Sequence, residues 1–341
     1  MDWSKPYSSY WRVFRVNKKT WADAEQISGI DTATIEKTAN DDLLESGSMD
    51  ITADTFETGY YRIVMTAEQD GGAERVEIAT LLFESTSGTR DYGRETKTAE
   101  GHSVLYPASC FLLSEGSYAS SGIDGAQYVA GLLSSVVNAP IVCDGSFTLN
   151  ESVVHSFGCS VLEAAWSVLD AGNFIMRITG NGEIHILPKP NEATTVFDAA
   201  SANLLMAGVD HSCDYSELPN RYIAKNGDYI VTVVNNNLDS PISYPKRGWY
   251  KDVIDDSPTL VNGESLEQYA EKKLTELSVG REELVYTREW IENLYPYDVI
   301  KGSIESAGFD GNMRIVSQSI DCNSRILVSE KAEQEVLLWE K

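Results

Sequence analysis

Positive charge is scarce in this 341-residue chain: 27 Lys and Arg stand against 52 Asp and Glu, a formal net charge of −25 at pH 7. A broad face that grips nucleic acid or an anionic membrane needs positive potential, so that class of function is disfavoured. Cysteine is sparse as well. Cys110, Cys143, Cys159, Cys213 and Cys322 are odd in number, widely spaced and free of any CxxC pair. They read as buried reduced thiols from a cytosolic synthesis site, which excludes a disulfide framework. The first residues, MDWSKPYSSYWRVFRV, contain no apolar h-region or cleavage pattern, so no secretory signal is expected. No apolar run approaches the roughly 20 residues that span a bilayer. A soluble product made in a cytoplasm is the expectation. What the chain does have is 42% apolar and 10% aromatic residues, enough for packed cores and too much for a disordered acidic tail. At roughly 100–200 residues per domain, the length favours two to four domains.

The patterning is mostly β, of α+β class. Tyr10–Val16, Tyr60–Thr66 and Val76–Phe83 are β-branched and aromatic, separated by polar turns such as Gln69–Gly72 and Ser85–Gly88. Residues 1–100 therefore read as a first small β-barrel. Residues 101–193 change to an α+β insert. Val129, Leu132, Leu133 and Val136 recur at helical spacing behind Asp124 as N-cap. Ser160 and Glu163 form a capping box ahead of Leu162, Ala165, Trp166 and Leu169, with Gly172 as the stop. Phe174–Thr179 and Glu183–Leu187 flank Gly180-Asn181-Gly182 as a tight hairpin. Residues 194–341 return to β texture and read as a second small barrel. It holds the hairpin around Asn226-Gly227, a long polar loop at 235–262 and a helix at 265–278 capped by Ser265 and Gln268. Strands are expected at Leu284–Trp290, Asp298–Ser306, Asn312–Ile320, Arg325–Ser329 and Glu335–Trp339.

Catalytic patterns are missing. His155 and Cys159 stand four apart before a helix, but no Asn or Asp orienter can be placed and no G-x-S-x-G elbow exists. Cys159 is expected to pack as a small hydrophobe. His211 and Cys213, near Asp210 and Asp214, form the densest cluster of metal-capable side chains. Structural zinc takes about four N or S ligands in paired clusters, and the sequence offers no second pair. Asp252, Asp255 and Asp256 lack the D-x-[DN]-x-[DN]-G spacing of a calcium loop and read as a solvated acidic loop. Paired carboxylates for glycosidase chemistry need to stand about 5–9.5 Å apart, and 52 acidic residues give that pattern no discrimination. Gly71-Gly72 and Gly180-Asn181-Gly182 match no nucleotide-binding motif. Seven Trp and 17 Tyr could form a sugar-stacking platform. Trp11, Tyr60, Tyr61, Trp166 and Trp290, however, fall in regular elements where core or interface packing is the expected use. No catalytic, cofactor-binding or metal-ligating residue is assigned, and no cofactor is expected.

Three segments, taken in order, carry a resemblance. DDLLESGSMDIT at Asp41–Thr52 precedes the strand YYRIVMTAE. SVLEAAWSVLDAGNFIMRITGNGEIHILPKP runs from Ser160 to Pro190 as a helix feeding a strand–Gly–strand hairpin. DYSELPNRYIAKNG, Asp214 to Gly227, opens the last third, followed by SLEQYAEKKLTEL and LYPYDVIKGSI. This barrel–insert–barrel layout resembles the phage tail hub family: baseplate hubs of contractile phages, the late control protein D group and siphophage tail-tip hubs. The resemblance implies a virion structural protein, a homotrimer whose two related barrels per chain make a pseudo-six-fold ring. Such an adaptor joins the tail tube or distal tail protein to the tip, alongside a tape-measure protein and a receptor-binding or lytic protein. Its place would be the distal end of the tail, assembled in the host bacterial cytoplasm, with DNA only in transit during genome ejection and no membrane insertion. Many siphophage hubs continue into a peptidoglycan-cleaving or adhesive extension. This chain ends at Lys341, so such activity is expected from another protein. An acidic channel suits that role, because a Lys/Arg lining would hold the polyanion by counterion release. A carbohydrate- or cell-surface-binding module, or an acidic muralytic hydrolase, is the alternative.

Overall fold

The computed structural model describes residues 1–3, 5–52, 56–91, 94–191, 193–197, 205–260, 264–304 and 309–339. They form two compact units, each gathered from separated stretches: Met1–Gly208 with Tyr286–Lys331, and Val209–Val285 with Ala332–Lys341.

The larger unit is organised around one hairpin, Gly59–Gln69 with Gly72–Asp91. Asp70 and Gly71 form its two-residue turn with φ of 51° and 80°, the left-handed pair a primed turn needs. Ser8–Val16 pairs along Gly59–Gln69 and carries the strand Asp23–Ile27. On the other side the antiparallel ladder continues through Arg94–His102, Glu45–Ile51 and Ile30–Thr38. Phe309–Cys322 then pairs with Ile30–Thr38, placing Ile320 opposite Ile35. Strands from opposite ends of the sequence thus share one sheet. Val299–Ile304 pairs with Phe309–Cys322 and, in parallel, with Ala193–Phe197.

Two-residue alternation in the central strand separates two cores. Tyr61, Ile63 and Met65 face one shared with Val13, Ile35, Phe83, Trp290, Ile320 and Val328. Tyr60 faces the other, together with Leu82, Val129, Leu133, Leu162, Val168 and Ile186. That second core belongs to the insert: the helices Gly125–Ser134 and Val161–Gly172 with the sheet of Ile141–Cys143, Ile184–Pro188 and Phe174–Ile178. Both helix starts follow their caps. Asp124 accepts from the amides of Ala126 and Gln127 at 3.0 and 3.3 Å, and Ser160 exchanges bonds with Glu163 at 2.6 and 3.1 Å. Arg62 ties this hairpin to the large sheet. Its guanidinium donates to Asp23 at 2.7 Å, to the carbonyl of Asn181 at 2.8 Å and to Thr80 at 3.1 Å. Gly180 sits where a Cβ would stand 1.7 Å from the Glu77 carbonyl oxygen, so the turn can approach the sheet only without a side chain.

The smaller unit carries the sheet Tyr229–Val234, Arg221–Asn226, Asp252–Asp255, with helix Leu266–Leu277 over one face. Tyr222, Ala224, Val233, Tyr269, Leu274 and Trp339 fill its core.

Mostly β, α+β architecture is what the chain adopts, but not as closed barrels: among the described residues every sheet is open. Asp23–Ile27 ends the large sheet as a five-residue strand with Glu25 and Gln26 exposed, a short charged edge that resists further pairing. Other expectations shift locally. Ser85–Gly88 is not a turn; it extends the strand past a bulge and pairs with Lys97–Glu100, because backbone pairing overrides the turn composition. The second hairpin turns at Gly227-Asp228, with Asn226 already paired to Tyr229. Asn173 at φ 55°, not Gly172, ends its helix in the left-handed conformation. Ile326–Leu337 is one strand where two were expected, and Trp339 lies beyond it.

The polar stretch at 235–262 is structured over its described residues. It contains the short helix Tyr244–Arg247 and the strand Asp252–Asp255, parallel to Arg221–Ala224. Its polarity is internal scaffolding. Buried Asn235 donates to Ser240 Oγ at 2.8 Å, and buried Asn220 bridges the Trp249 carbonyl and the Lys251 amide at 3.0 and 2.9 Å. Residues 261–263 and 305–308, where the loop and one expected strand end, lie outside the described residues.

Candidate functional site

The residues singled out for chemistry are placed by the fold as follows. His155 ends the strand Val153–His155 and is buried, its Nε2 3.2 Å from the Tyr128 hydroxyl. Burial lowers its pKa, which keeps the ring neutral at pH 7. It is a core histidine with a phenol partner. Asp252 forms a two-point pair with Arg221, and Asp255 accepts from Tyr222, Tyr269 and the Ser257 amide at 2.9, 2.9 and 3.1 Å. These hydrogen bonds hold both carboxyls below their ordinary pKa and use the lone pairs a calcium ion would need. Tyr60, Tyr61, Trp166 and Trp290 are buried, while Trp11 is half-buried and donates to the Asn323 carbonyl. Among the thiols only Cys322 is buried; Cys110 and Cys213 are exposed, contrary to the expectation of buried cysteines, because both end regular elements at the surface. His211 and Cys213 converge with Glu282, which lies about 70 residues further along the chain and shares no local pattern with them.

Surface chemistry is more telling than these groups. The two-stranded sheet Ser117–Ala119 with Val153–His155 pairs Tyr118 with Val154. Alternation turns His155 inward and leaves Val154 76% exposed and Tyr118 62% exposed. Beside it, Leu113 exchanges backbone bonds with Gly158 and Cys159, and the Val161 amide bonds to the Phe111 carbonyl. This lacing brings Phe111, Leu112 and Phe157, all more than half exposed, onto the same rim of the insert. Five large apolar side chains at one rim cannot contribute to this unit's core; they gain only by being covered. A Phe flanked by Ser156 and Gly158, as Phe157 is, was the one local signal in the sequence.

The smaller unit exposes Trp249 and Tyr250, at 47% and 40%. Both rings already carry partners: Arg221 lies 4.0 Å over Tyr250, Tyr244 stacks on Tyr250 at 4.2 Å, and Arg247 lies 4.9 Å over one face of Trp249. A sugar stacking on the Arg247 side of Trp249 or the Arg221 side of Tyr250 would have to displace a guanidinium. Among the described residues no helix is long and apolar enough to cross a membrane.

No known family profile and no curated protein sequence matches the chain. Solved structures do. A tail protein from Neisseria meningitidis MC58 is similar over 97% of this chain and 98% of its own, with a TM-score of 0.62 at 10% identity. The chain shares the fold of that tail protein. The 43 kDa tail protein of prophage MuSo2 from Shewanella oneidensis covers 95% of this chain and 98% of itself, at TM-score 0.59 and 10% identity. A half-lidded Francisella PdpA–VgrG complex is similar over 97% of this chain and 58% of the solved one, at TM-score 0.53 and 6% identity. The large sheet and the helix-plus-hairpin insert belong to one compact unit, and the insert's rim exposes Phe111, Leu112, Tyr118, Val154 and Phe157.

Proposed function

We propose that the chain is a non-enzymatic hub or adaptor at the distal end of a phage or phage-like tail. Three copies form a pseudo-six-fold ring that joins the tail tube or distal tail protein to the tip and encloses the channel for DNA. The observation that carries this reading is likeness to a tail protein over 97% of this chain and 98% of the other. In this reading residues 1–100 and 194–341 act as the two tube-like modules and 101–193 as the insert between them. Two physical features support it. A charge of −25 per chain, −75 for three, gives a transiting polyanion nothing to adhere to. The same charge makes the copies repel, so assembly needs apolar contacts, and Phe111, Leu112, Tyr118, Val154 and Phe157 offer them. A tape-measure protein and a receptor-binding or lytic tip protein are the further partners, assembled in the bacterial cytoplasm. Light scattering on the purified chain, alone and mixed with its distal tail protein, tests the reading. A mass of three 37.6 kDa chains in either sample supports it. A single-copy mass in both, or peptidoglycan cleavage by the chain, overturns it.

A further inference from the structure

The cluster at His211, Cys213 and Glu282 carries chemistry that the hub reading does not use. His211 and Cys213 alternate along the strand Leu205–Cys213 and so point to one face, while Asp210 falls on the other. Glu282 comes from the neighbouring strand Val279–Glu289. The His211 Nε2 lies 3.5 Å from Cys213 Sγ and 3.7 Å from Glu282 Oε2, and all three ligand atoms fall within 4.8 Å of one another.

Those separations can be compared with what a metal would impose. Zinc bonds of about 2.3 Å to sulfur, 2.0–2.1 Å to nitrogen and 2.0–2.2 Å to oxygen, at tetrahedral angles, set N···S at about 3.6 Å and N···O at about 3.4 Å. The two measured edges lie within a few tenths of an ångström of these, about the reach of a side-chain rotation. The carboxylate is also held from behind. Tyr215 donates to Glu282 Oε1 at 2.9 Å, which leaves Oε2 turned toward the imidazole. The Tyr215 ring lies on Gly280, where a Cβ would meet it at 2.6 Å, so the glycine two residues before Glu282 makes room for the group that orients it. Orientation of a ligand by a hydrogen bond from outside the coordination sphere is the usual second half of a metal site.

We propose that His211, Cys213 and Glu282 form a three-ligand site for a divalent transition ion of the zinc class, with water as the fourth ligand. Bound there, the ion links the stretches Val209–Cys213 and Val279–Val285 of the two strands, which lie in the smaller unit. Imidazole and thiolate select zinc-class ions over calcium or magnesium, and exposure of His211 and Cys213 leaves a path in and room for the water.

The test uses the full chain, stripped with a chelator and titrated with Zn²⁺ by calorimetry, then with Co²⁺ as a spectroscopic probe. One ion per chain is expected, with a thiolate-to-cobalt charge-transfer band and the strong visible bands of four-coordination. Cys213→Ser should abolish the charge-transfer band, whereas Cys110→Ser, at the other exposed thiol, should leave it intact. Tyr215→Phe should keep the band and weaken zinc binding about 10–100-fold. Absence of stoichiometric zinc binding by the unmodified chain overturns the site, as does a cobalt spectrum without the thiolate band. Neither readout depends on ring assembly, so the site and the hub reading fail separately.

Discussion

Arg288 and Glu330 provide the sharpest quantitative test of how the larger unit is held together. Both are 1% exposed. Arg288 donates through Nε to Glu330 Oε2 at 2.9 Å, through Nη2 to Oε1 at 2.5 Å, and through Nη1 to the Glu289 carbonyl at 2.9 Å. Gln318 adds a bond to Oε1 at 2.6 Å. Removing two charges from water costs nearly what their attraction returns, so the intact pair contributes little net stability. Breaking it is different: Arg288→Met strands a carboxylate in the core and should cost about 3–5 kcal/mol at pH 7. The double variant Arg288→Met with Glu330→Leu removes both charges and should recover most of that loss. The pH dependence carries a sign. In the unmodified protein burial pushes the Glu330 carboxyl up, but the Arg288 charge and the hydrogen bonds to it outweigh that and hold it below the usual carboxylate range. Its contribution is therefore complete above the unfolded pKa of about 4.3 and is lost as pH falls through the lower folded value. Without Arg288, burial raises that pKa instead. The deficit of Arg288→Met should then grow as pH rises above about 4.3 and shrink in acid. Urea titrations followed by the fluorescence of buried Trp290 in the same core give both quantities. A loss under about 1 kcal/mol, or one that does not change with pH, would refute the reasoning.

Other outcomes follow from single positions. Gly180→Ala should cost at least about 2 kcal/mol in thermal unfolding, since its Cβ would stand 1.7 Å from backbone at Glu77; unchanged stability would mean the turn does not rest on the sheet. Ser160→Ala should cost about 0.5–2 kcal/mol through its lost capping box while leaving assembly intact; normal stability with lost assembly would make this helix an interface. Phe157→Asp, at a side chain 78% exposed, should leave the melting of the single chain within about 0.5 kcal/mol while reducing the trimer mass seen by light scattering; an unaltered assembly would remove the rim from the ring contacts.

Local rules were legible where local chemistry decides. Asp124, Ser160 and Ser265 cap the helices their side chains predict, and the glycine turn at 180–182 makes the expected hairpin. What the sequence could not reveal is pairing between its ends. Ile35 beside Ile320 depends on a sheet closing over most of the chain, and no short-range period encodes that. The polar stretch at 235–255 has loop-like composition for a structural reason: Asn235 pairs with Ser240 inside the fold, and buried Asn220 holds the Lys251 amide. Glu282 was not legible for the same reason, since its neighbours on the adjoining strand lie far away in sequence. Phe157 was not singled out from the sequence either, although an aromatic between Ser156 and Gly158 is a local signal, since solvent should favour a polar residue there.

Electron cryomicroscopy of intact tail particles is the most direct measurement of the central claim. Three copies of this polypeptide should surround the axis at the distal end, below a six-fold tube and around an open channel. Density that seats the polypeptide off the axis, or finds it in any number but three, would contradict the adaptor account.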